Sequence, residues 1–322
     1  MSDSISVIPG NCVNCGGCHF KKLHPGRDRL HRLPGEFSVD ECLSCGLITV
    51  HPRLSLEESS KYYPSDYVSY PVAVEDEKSR FRRWDRWYGR EKRCRAIIKR
   101  VGSPGRVLDI GCATGIFLSG MRQHGWECYG IEPSEFAANY ARRRFDLEVF
   151  QGYLENAPFP LGHFDLITLW DVLEHLPDPV TSLAQIRQLL KPDGWLVLSL
   201  PNASAWERRW FGEYWVGWDV PRHYNTFEPR TIKHLLEKCG FSIREIASFT
   251  GRHGAMLISL EFLLADKKIS PRAKTIILRL MRSIVARAFT LPFYGLADAL
   301  NRSSVMNVFA QITPDDGHLG KV

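Results

Sequence analysis

The chain has 322 residues, enough for one substantial α/β domain with smaller additions. Apolar residues at 44% and charged residues at 24% are an ordinary globular balance, which argues against disorder and against a membrane span. A formal charge of +6 is too diffuse for a nucleic-acid-binding face, so no DNA partner is expected.

Residues 1–55 hold five of the nine cysteines, several Gly and Pro and little helical periodicity, and read as a small loop-rich module. The first ten residues lack a basic stretch leading into an apolar one, so no secretory signal is read and the cytoplasm is the expected compartment. Thiols stay reduced there, and closely spaced pairs point to metal or catalysis rather than disulfides. Cys12-x-x-Cys15 and Cys42-x-x-Cys45 form two knuckles with 26 residues between them, each followed by glycine (Gly16, Gly46). Glycine permits the tight turn that aims amides at the sulfurs, and four thiolates in tetrahedral array suit a structural Zn²⁺ in a closed, zinc-ribbon-like site. Cys18, His19 and His24 are alternate ligands, with an iron–sulfur cluster as second choice. Neither pair opens a helix of a βαβ unit, which removes a thioredoxin-like role.

From 56 to 100 a tyrosine-rich connector, KYYPSDYVSYP, leads into FRRWDRWYGREKRCRAIIKRV, whose apolar positions recur at helical spacing. Residues 101–250 alternate. Strands are predicted at RVLDIG, ECYGIE, LEVFQG, FDLITLWDV, GWLVLSLPN and SIREIASF. Helices fall at ATGIFLSGMRQHG, SEFAANYARRRF, DPVTSLAQIRQLL (ended by KPDG) and TFEPRTIKHLLEKCGF. Such alternation implies a mostly parallel sheet with helices on both faces, and SVMNVFAQI near the end supplies a seventh strand. Within 251–322, residues 275–300 are apolar but broken by Arg279, Arg282, Arg287 and Pro292, short of the ~20-residue run a span needs. They read as a helix pair covering the sheet or forming a dimer contact. The other reading lays them peripherally on the inner membrane surface, arginines toward phosphates.

The loop DIGCATG joins the first strand of this core to its first helix, where a Rossmann-like sheet binds its ligand. A dinucleotide site wants G-x-G-x-x-G, but Ala113 and Ile116 occupy the second and third glycine positions. Glu132 ends the second strand 21 residues after Gly111, placed to accept bonds from ribose hydroxyls. DIGCATG, the segment Gly130–Pro133 and FDLITLWDVLEH together resemble the class I S-adenosylmethionine-dependent methyltransferases over residues 100–250. The resemblance implies a seven-stranded Rossmann-like fold with Asp109, Gly111, Cys112, Ala113, Thr114 and Gly115 beside the methionine part of the cofactor. It implies Glu132 and Pro133 at the ribose, Tyr153 and Leu154 near the adenine, and Trp170 and Asp171 among the residues that bind the cofactor. Many members carry Asp after the third-strand glycine, whereas Gly152 here precedes Tyr153.

Methyl transfer from a sulfonium asks the protein for alignment and exclusion of water, plus a base when the acceptor starts protonated. Asp171, Glu174 and His175 share a face if the strand runs directly into a helical turn. Three roles stay open to them: pocket floor, base, or a Mg²⁺ or Mn²⁺ site. The last follows a resemblance to ubiquinone-pathway O-methyltransferases, whose similar acidic-x-x-Glu-His run binds a divalent cation. In DVPRHYNTF, His223 is the preferred base, since its ordinary pKa of about 6.5 suits the task. Zinc-ribbon-bearing sugar C-methyltransferases, which this chain resembles in part, place a His of this kind ahead of an aromatic position, preceded by Glu where Arg222 stands here. The plainer alternative is a histidine capping the next helix, with Arg222 meeting a substrate phosphate or a surface carboxylate. Trp206, Trp210, Tyr214, Trp215 and Trp218 form either a lid over an apolar substrate or packing against the C-terminal helices. Among Tyr62, Tyr63, Tyr67 and Tyr70, related enzymes single out Tyr67 as closing over the cofactor.

The expected function is therefore S-adenosylmethionine-dependent methyl transfer to a small-molecule or lipid-linked acceptor, a sugar, quinol or similar, with His223 or His175 as base. One alternative is an RNA or protein methyltransferase docking through the zinc module, with Lys21, Lys22, Arg27, Arg29 and Arg32 as its cations. The other is a non-catalytic cofactor-binding relative.

Overall fold

The N-terminal segment, loop-rich by its sequence, is a sheet. The computed structural model describes residues 5–7, 11–63, 73–250, 252–267 and 269–314. Strands β1 (Ile5–Val7), β2 (His19–Gly26), β3 (Phe37–Cys42) and β4 (Ile48–His51) pair antiparallel in that order. Their alternation is hard to read because the β2–β3 register shifts between Lys22 and His24, and because β4 is buried along its whole length. Helices α1 (Leu56–Ser60) and α2 (Arg80–Val101) follow.

The central sheet takes β5 (Arg106–Ile110), α3 (Ile116–Gln123), β6 (Glu127–Glu132), α4 (Glu135–Phe145), β7 (Glu148–Gln151), β8 (Phe164–Trp170), α5 (Pro179–Leu189) and β9 (Leu190–Pro201). Asp178 caps α5 through the Val180 and Thr181 amides, and Pro179 starts it, the N-terminal chemistry a helix favours. KPDG does not form a separate turn; it is drawn into β9, which pairs beside β8. After α6 (Trp206–Phe211) come β10 (Asn225–Thr226), α7 (Pro229–Lys238) and β11 (Phe241–Ala247). Helices α8 (Arg252–Asp266), α9 (Pro271–Met281) and α10 (Ile284–Ala299) precede β12 (Val305–Ile312). The sheet order is β11-β12-β9-β8-β5-β6-β7, with β12 antiparallel to both neighbours and the other described pairings parallel. Central strands are buried on both faces, as parallel strands covered by helices must be.

The N-terminal sheet is built into this core. β10, far away in sequence, pairs Asn225 with Thr49 and Thr226 with Ile48, becoming its fifth strand. Cys12, Phe20, Cys42 and Leu47 pack in one apolar cluster with Phe227, Ile232 and Leu235. Trp215 and Trp218 are buried against Phe37, Val39, Ile48 and Val50, and the Trp206 and Trp210 rings meet Phe293 of α10. The aromatic run thus packs between the N-terminal sheet and the C-terminal helices. No described helix is long and apolar enough to cross a membrane.

Arg222 joins the two sheets. Its fully buried guanidinium donates to Asp28 at 2.8 Å, to both oxygens of Asp219 at 2.7 and 2.9 Å, and to the Tyr62 carbonyl at 3.0 Å. This corrects the expectation of a substrate phosphate or surface carboxylate, because every contact is internal. Burial opposes the charge of Arg222, and the bonds and charge of Asp219 and Asp28 outweigh it, raising its pKa. Asp28 also accepts the amides of Leu30, His31 and Leu33. Removing one partner of a buried ion pair costs about 3 kcal/mol or more. Asp28→Ala is therefore expected to lower the free energy of unfolding in urea by about 3 kcal/mol, whereas Arg32→Ala, on an exposed loop, is expected to leave it nearly unchanged.

Candidate active site

The loop after β5 is held from beneath. The amides of Gly111 and Cys112 both donate to the Ile131 carbonyl of β6, at 2.8 and 3.1 Å. Gly111 has φ +72°, and a Cβ there would meet Val172 at 2.6 Å, so a side chain is excluded on both counts. Ala113 takes φ +47°, costly for a residue with a Cβ, and its amide donates to Glu132 at 2.9 Å, which anchors that conformation. The other Glu132 oxygen accepts the Ser134 amide at 2.8 Å. Burial raises the Glu132 pKa against the pull of these two bonds, and each oxygen keeps a lone pair for a further donor. Asp109, buried at the end of β5, accepts the Thr168 hydroxyl at 2.6 Å, and burial pushes its pKa up to about 7.

Thr114 and Cys112 are buried beside this loop, while Pro133 and Tyr153 are exposed and Leu154 is buried in a short 3-10 turn. Trp170 ends β8 with its indole edge on to Phe117 and the Arg93 guanidinium 5.4 Å from its ring centre. Its Nε1–H has no acceptor among the described atoms. Asp171 has φ +57°, so the strand does not run on into a helix. The carboxylate turns to the Ser199 hydroxyl at 3.0 Å, and it is Leu173–His175 that form a 3-10 turn. The shared face expected for Asp171, Glu174 and His175 therefore does not form as spaced.

His223 takes the place beside Glu174 and His175: one ligand atom from each lies within 4.8 Å of the others. The His175 and His223 rings stand edge to face, 4.5 Å between centres. His223 Nδ1 is 2.8 Å from the Gly217 carbonyl and His175 Nδ1 is 3.1 Å from the Arg222 carbonyl. A carbonyl can only accept, so the bond to Gly217 puts the His223 proton on Nδ1 and leaves its Nε2 lone pair free. Tyr63 Oη is a second neighbour of His175 Nδ1, at 2.9 Å. His223 Nε2 lies 4.0 Å from both Glu174 and Asp219. Glu174 is fully buried, neither of its oxygens has a hydrogen-bond partner among the described residues, and burial raises its pKa well above the carboxylate range. Burial lowers both imidazoles, His175 to about 3, so both are held neutral. For Asp219, burial is outweighed by the bonds and charge of Arg222, which keep it ionised.

The four cysteines Cys12, Cys15, Cys42 and Cys45 also converge, with all sulfurs within 4.8 Å and the Cys12–Cys45 and Cys15–Cys42 pairs at 3.6 Å. A tetrahedron of thiolates ~2.3 Å from a metal has edges of about 3.8 Å, so the donor set fits a zinc-ribbon-like site. The Gly17 and Leu47 amides point at Cys15 and Cys45 sulfurs, at 3.4 and 3.5 Å. Cys18 instead lies beside His19 Nδ1, and His24 Nδ1 faces the Pro25 carbonyl. Asn14, inside the first knuckle, bonds to the Thr231 carbonyl and to His234, tying the knuckle to α7.

Several partners were not legible in the sequence. Tyr63 rather than Tyr67 reaches His175 among the described residues, and Tyr67 and Tyr70 lie outside them. Arg93 sends its charge toward Asp109 and Asp171 from α2, and nothing in its local sequence marks it. Asp28 could have been suspected from the three amides downstream of it, a turn-capping position, but not its tie to Arg222.

Residues 86–246, half of the chain, match the family model described as a methyltransferase domain. The chain belongs to this methyltransferase family and is an S-adenosylmethionine-dependent methyltransferase. A ubiquinone biosynthesis O-methyltransferase from Thiobacillus denitrificans is 29% identical over 158 residues, 45% of this chain and 68% of that protein. One from Alkalilimnicola ehrlichii is 34% identical over 105 residues, 31% of this chain and 42% of that protein. The crystal structure of a SAM-dependent methyltransferase from Archaeoglobus fulgidus is 21% identical, covering 69% of this chain and 92% of that one with a TM-score of 0.46.

The acid at the end of β5 makes stability depend on pH. Its ordinary pKa is about 3.9, against about 7 in the fold. Between these values the folded chain holds a proton that the unfolded chain releases, so the stability this group contributes at low pH is lost as pH rises through about 7. Asp109→Asn keeps the acceptor for Thr168 without the charge. Its melting temperature is expected to rise relative to the parent between about pH 4 and pH 7 and to level off above that; a constant difference would mean that Asp109 ionises as it does in water.

Proposed function

We propose that this chain transfers the methyl group of S-adenosylmethionine to the oxygen of a phenolic, quinol-like acceptor, free or lipid-linked. The observation that carries the reading is the convergence of His175, His223 and Glu174, two neutral imidazoles and an unpartnered buried acid, at the carboxyl end of the sheet that holds the glycine loop. The names of the relatives support an oxygen acceptor. Asp109, Gly111, Cys112, Ala113, Thr114 and Gly115 would hold the methionine part of the cofactor, Glu132 and Pro133 the ribose, and Tyr153 and Leu154 the adenine, with Trp170 and Asp171 also in contact with it. Bound there, the cofactor supplies an activated methyl group on a positively charged sulfur.

The chain's own part is orientation and proton transfer. His223 Nε2, unprotonated because Nδ1–H is committed to Gly217, would take the hydroxyl proton of the acceptor as its oxygen bonds to the methyl carbon and the methyl–sulfur bond breaks, the sulfur leaving as a neutral thioether. Asp219, kept ionised by Arg222, lies 4.0 Å from that nitrogen and stabilises the imidazolium that results. His175, held by the Arg222 carbonyl and Tyr63, packs against the His223 ring and fixes its plane. The RNA-docking alternative has less support, because Arg27 and Arg29 are already paired with Asp266 and Glu213.

A second reading is favoured by the orphaned Glu174 carboxylate. Two imidazoles and one carboxylate, with ligand atoms within 4.8 Å of one another, are a donor set for a divalent cation such as Mg²⁺ or Mn²⁺, with His223 replacing Asp171 in the set expected from sequence. The test uses purified protein, methyl-labelled cofactor and a catechol-type acceptor. Label is expected in the methyl ether, with His223→Ala lowering kcat/KM by roughly 10²–10⁴ at unchanged cofactor affinity. Calorimetry showing no binding of the cofactor or its demethylated product would sink the whole reading. A rate that survives chelation favours the base; a rate lost on chelation and restored by Mn²⁺ favours the cation.

The four thiolates we assign to structural Zn²⁺. Elemental analysis is expected to find one zinc per chain, and Cys12→Ser with Cys45→Ser to abolish it and lower the melting temperature. Zinc retained in the double variant would place it elsewhere.

A further inference from the structure

Between residues 267 and 297 the chain carries seven Lys and Arg and no Asp or Glu. Helix α10 turns an uncharged face outward: Val285, Phe289, Pro292 and Leu296 recur at helical spacing, and Phe289 is 82% exposed. A side chain of that size left in water is uncommon, and a run of them on one helix face marks a surface that meets something apolar. On α9, Arg272 and Arg279 flank Ile276 on one exposed face, so cations and apolar groups point the same way. The neighbouring Trp210, 60% exposed, stacks loosely on Phe293, and a half-exposed indole suits the boundary between water and acyl chains.

We infer that α9 and α10 form a docking surface for an anionic lipid bilayer, lying in its headgroup layer with the apolar face of α10 inward and the arginines on phosphates. The charge pattern selects this occupant. A face made to pair with a second copy of the chain would bring two strongly cationic segments together, whereas anionic headgroups neutralise them. Arg282 and Arg287 are engaged with Glu261 and Asp85, which brace the helices on α8 and α2 and leave Arg272 and Arg279 facing outward. The surface also connects to the site: α10 holds α6 through Phe293, and α6 leads into the loop that carries His223. A lipid-linked acceptor would then be met at the membrane, though the docking surface stands whatever the acceptor proves to be.

The full chain is mixed, without cofactor or acceptor, with vesicles of phosphatidylcholine alone or with phosphatidylglycerol, and bound protein is separated by flotation. Binding is expected to the anionic vesicles and to fall sharply at about 0.5 M salt. Phe289→Ser with Leu296→Ser is expected to weaken it by about tenfold or more, and Arg272→Glu with Arg279→Glu to weaken it likewise. Both pairs are exposed, and melting curves check that each stays folded; should the serine pair not fold, the glutamate pair carries the test. Failure to float with anionic vesicles overturns the inference, as does equal flotation of folded variants. So does a dimer in light scattering that Phe289→Ser with Leu296→Ser converts to monomer. None of these results bears on methyl transfer in solution, which is measured separately.

Discussion

A guanidinium with no exposure to solvent is the constraint around which the rest is arranged. Burying the Arg222 charge is tolerable because two carboxylates meet it, Asp219 three residues before it and Asp28 194 residues away. The bond to Asp28 fixes where the N-terminal sheet sits, and the bond to Asp219 fixes the loop that carries His223. The backbone of that loop then meets the imidazoles: the Arg222 carbonyl lies 3.1 Å from His175 Nδ1, and the Gly217 carbonyl accepts from His223 Nδ1–H at 2.8 Å. The placement of both rings therefore follows from a side chain that is itself fully buried.

The zinc-ribbon-like module is accordingly part of the enzyme's wall rather than an attached unit. Its sheet is completed by β10, which begins two residues after His223. Its first knuckle is tied to α7 through Asn14, and Cys12 and Cys42 lie in the same apolar cluster as Phe227 and Leu235. A four-thiolate site can hold a segment with little apolar mass in one shape, and here that shape carries Asp28 to Arg222.

The carboxyl ends of β5, β6 and β8 gather Asp109, Glu132, Asp171 and Glu174, and burial raises the pKa of each. So many acids in so little water would be costly if all were ionised. A cofactor carrying a positive sulfur would draw the nearest of them back toward ionisation, since an opposite charge favours the charged form. The family to which the chain belongs uses such a cofactor, and the acid-rich rim is suited to it.

Much of the fold was legible in local periodicity. Short apolar runs between helical repeats place β5 to β9, and DIGCATG with Glu132 marks the end of the sheet where the loop is pinned. The spacing of Cys12, Cys15, Cys42 and Cys45 marked two knuckles, because each CxxC-Gly closes its own turn, and the pairing of β2 with β3 brings the two together. What local sequence could not carry was any pairing between distant segments. Asp171 leaves the expected face because one left-handed residue turns it to Ser199, and His223 enters because the loop after α6 folds back over Glu174. The strands of the N-terminal module were hidden by the register shift between Lys22 and His24 and by the burial of all of β4, and their fifth partner, Asn225–Thr226, lies far along the chain. Sequence alone determined the elements of the central sheet, the turn of the glycine loop and the two CxxC knuckles, since each depends on neighbours a few residues away. Tertiary structure decided which acid and which histidines meet and what Arg222 is for, because those depend on burial, which no single segment possesses before the chain has packed.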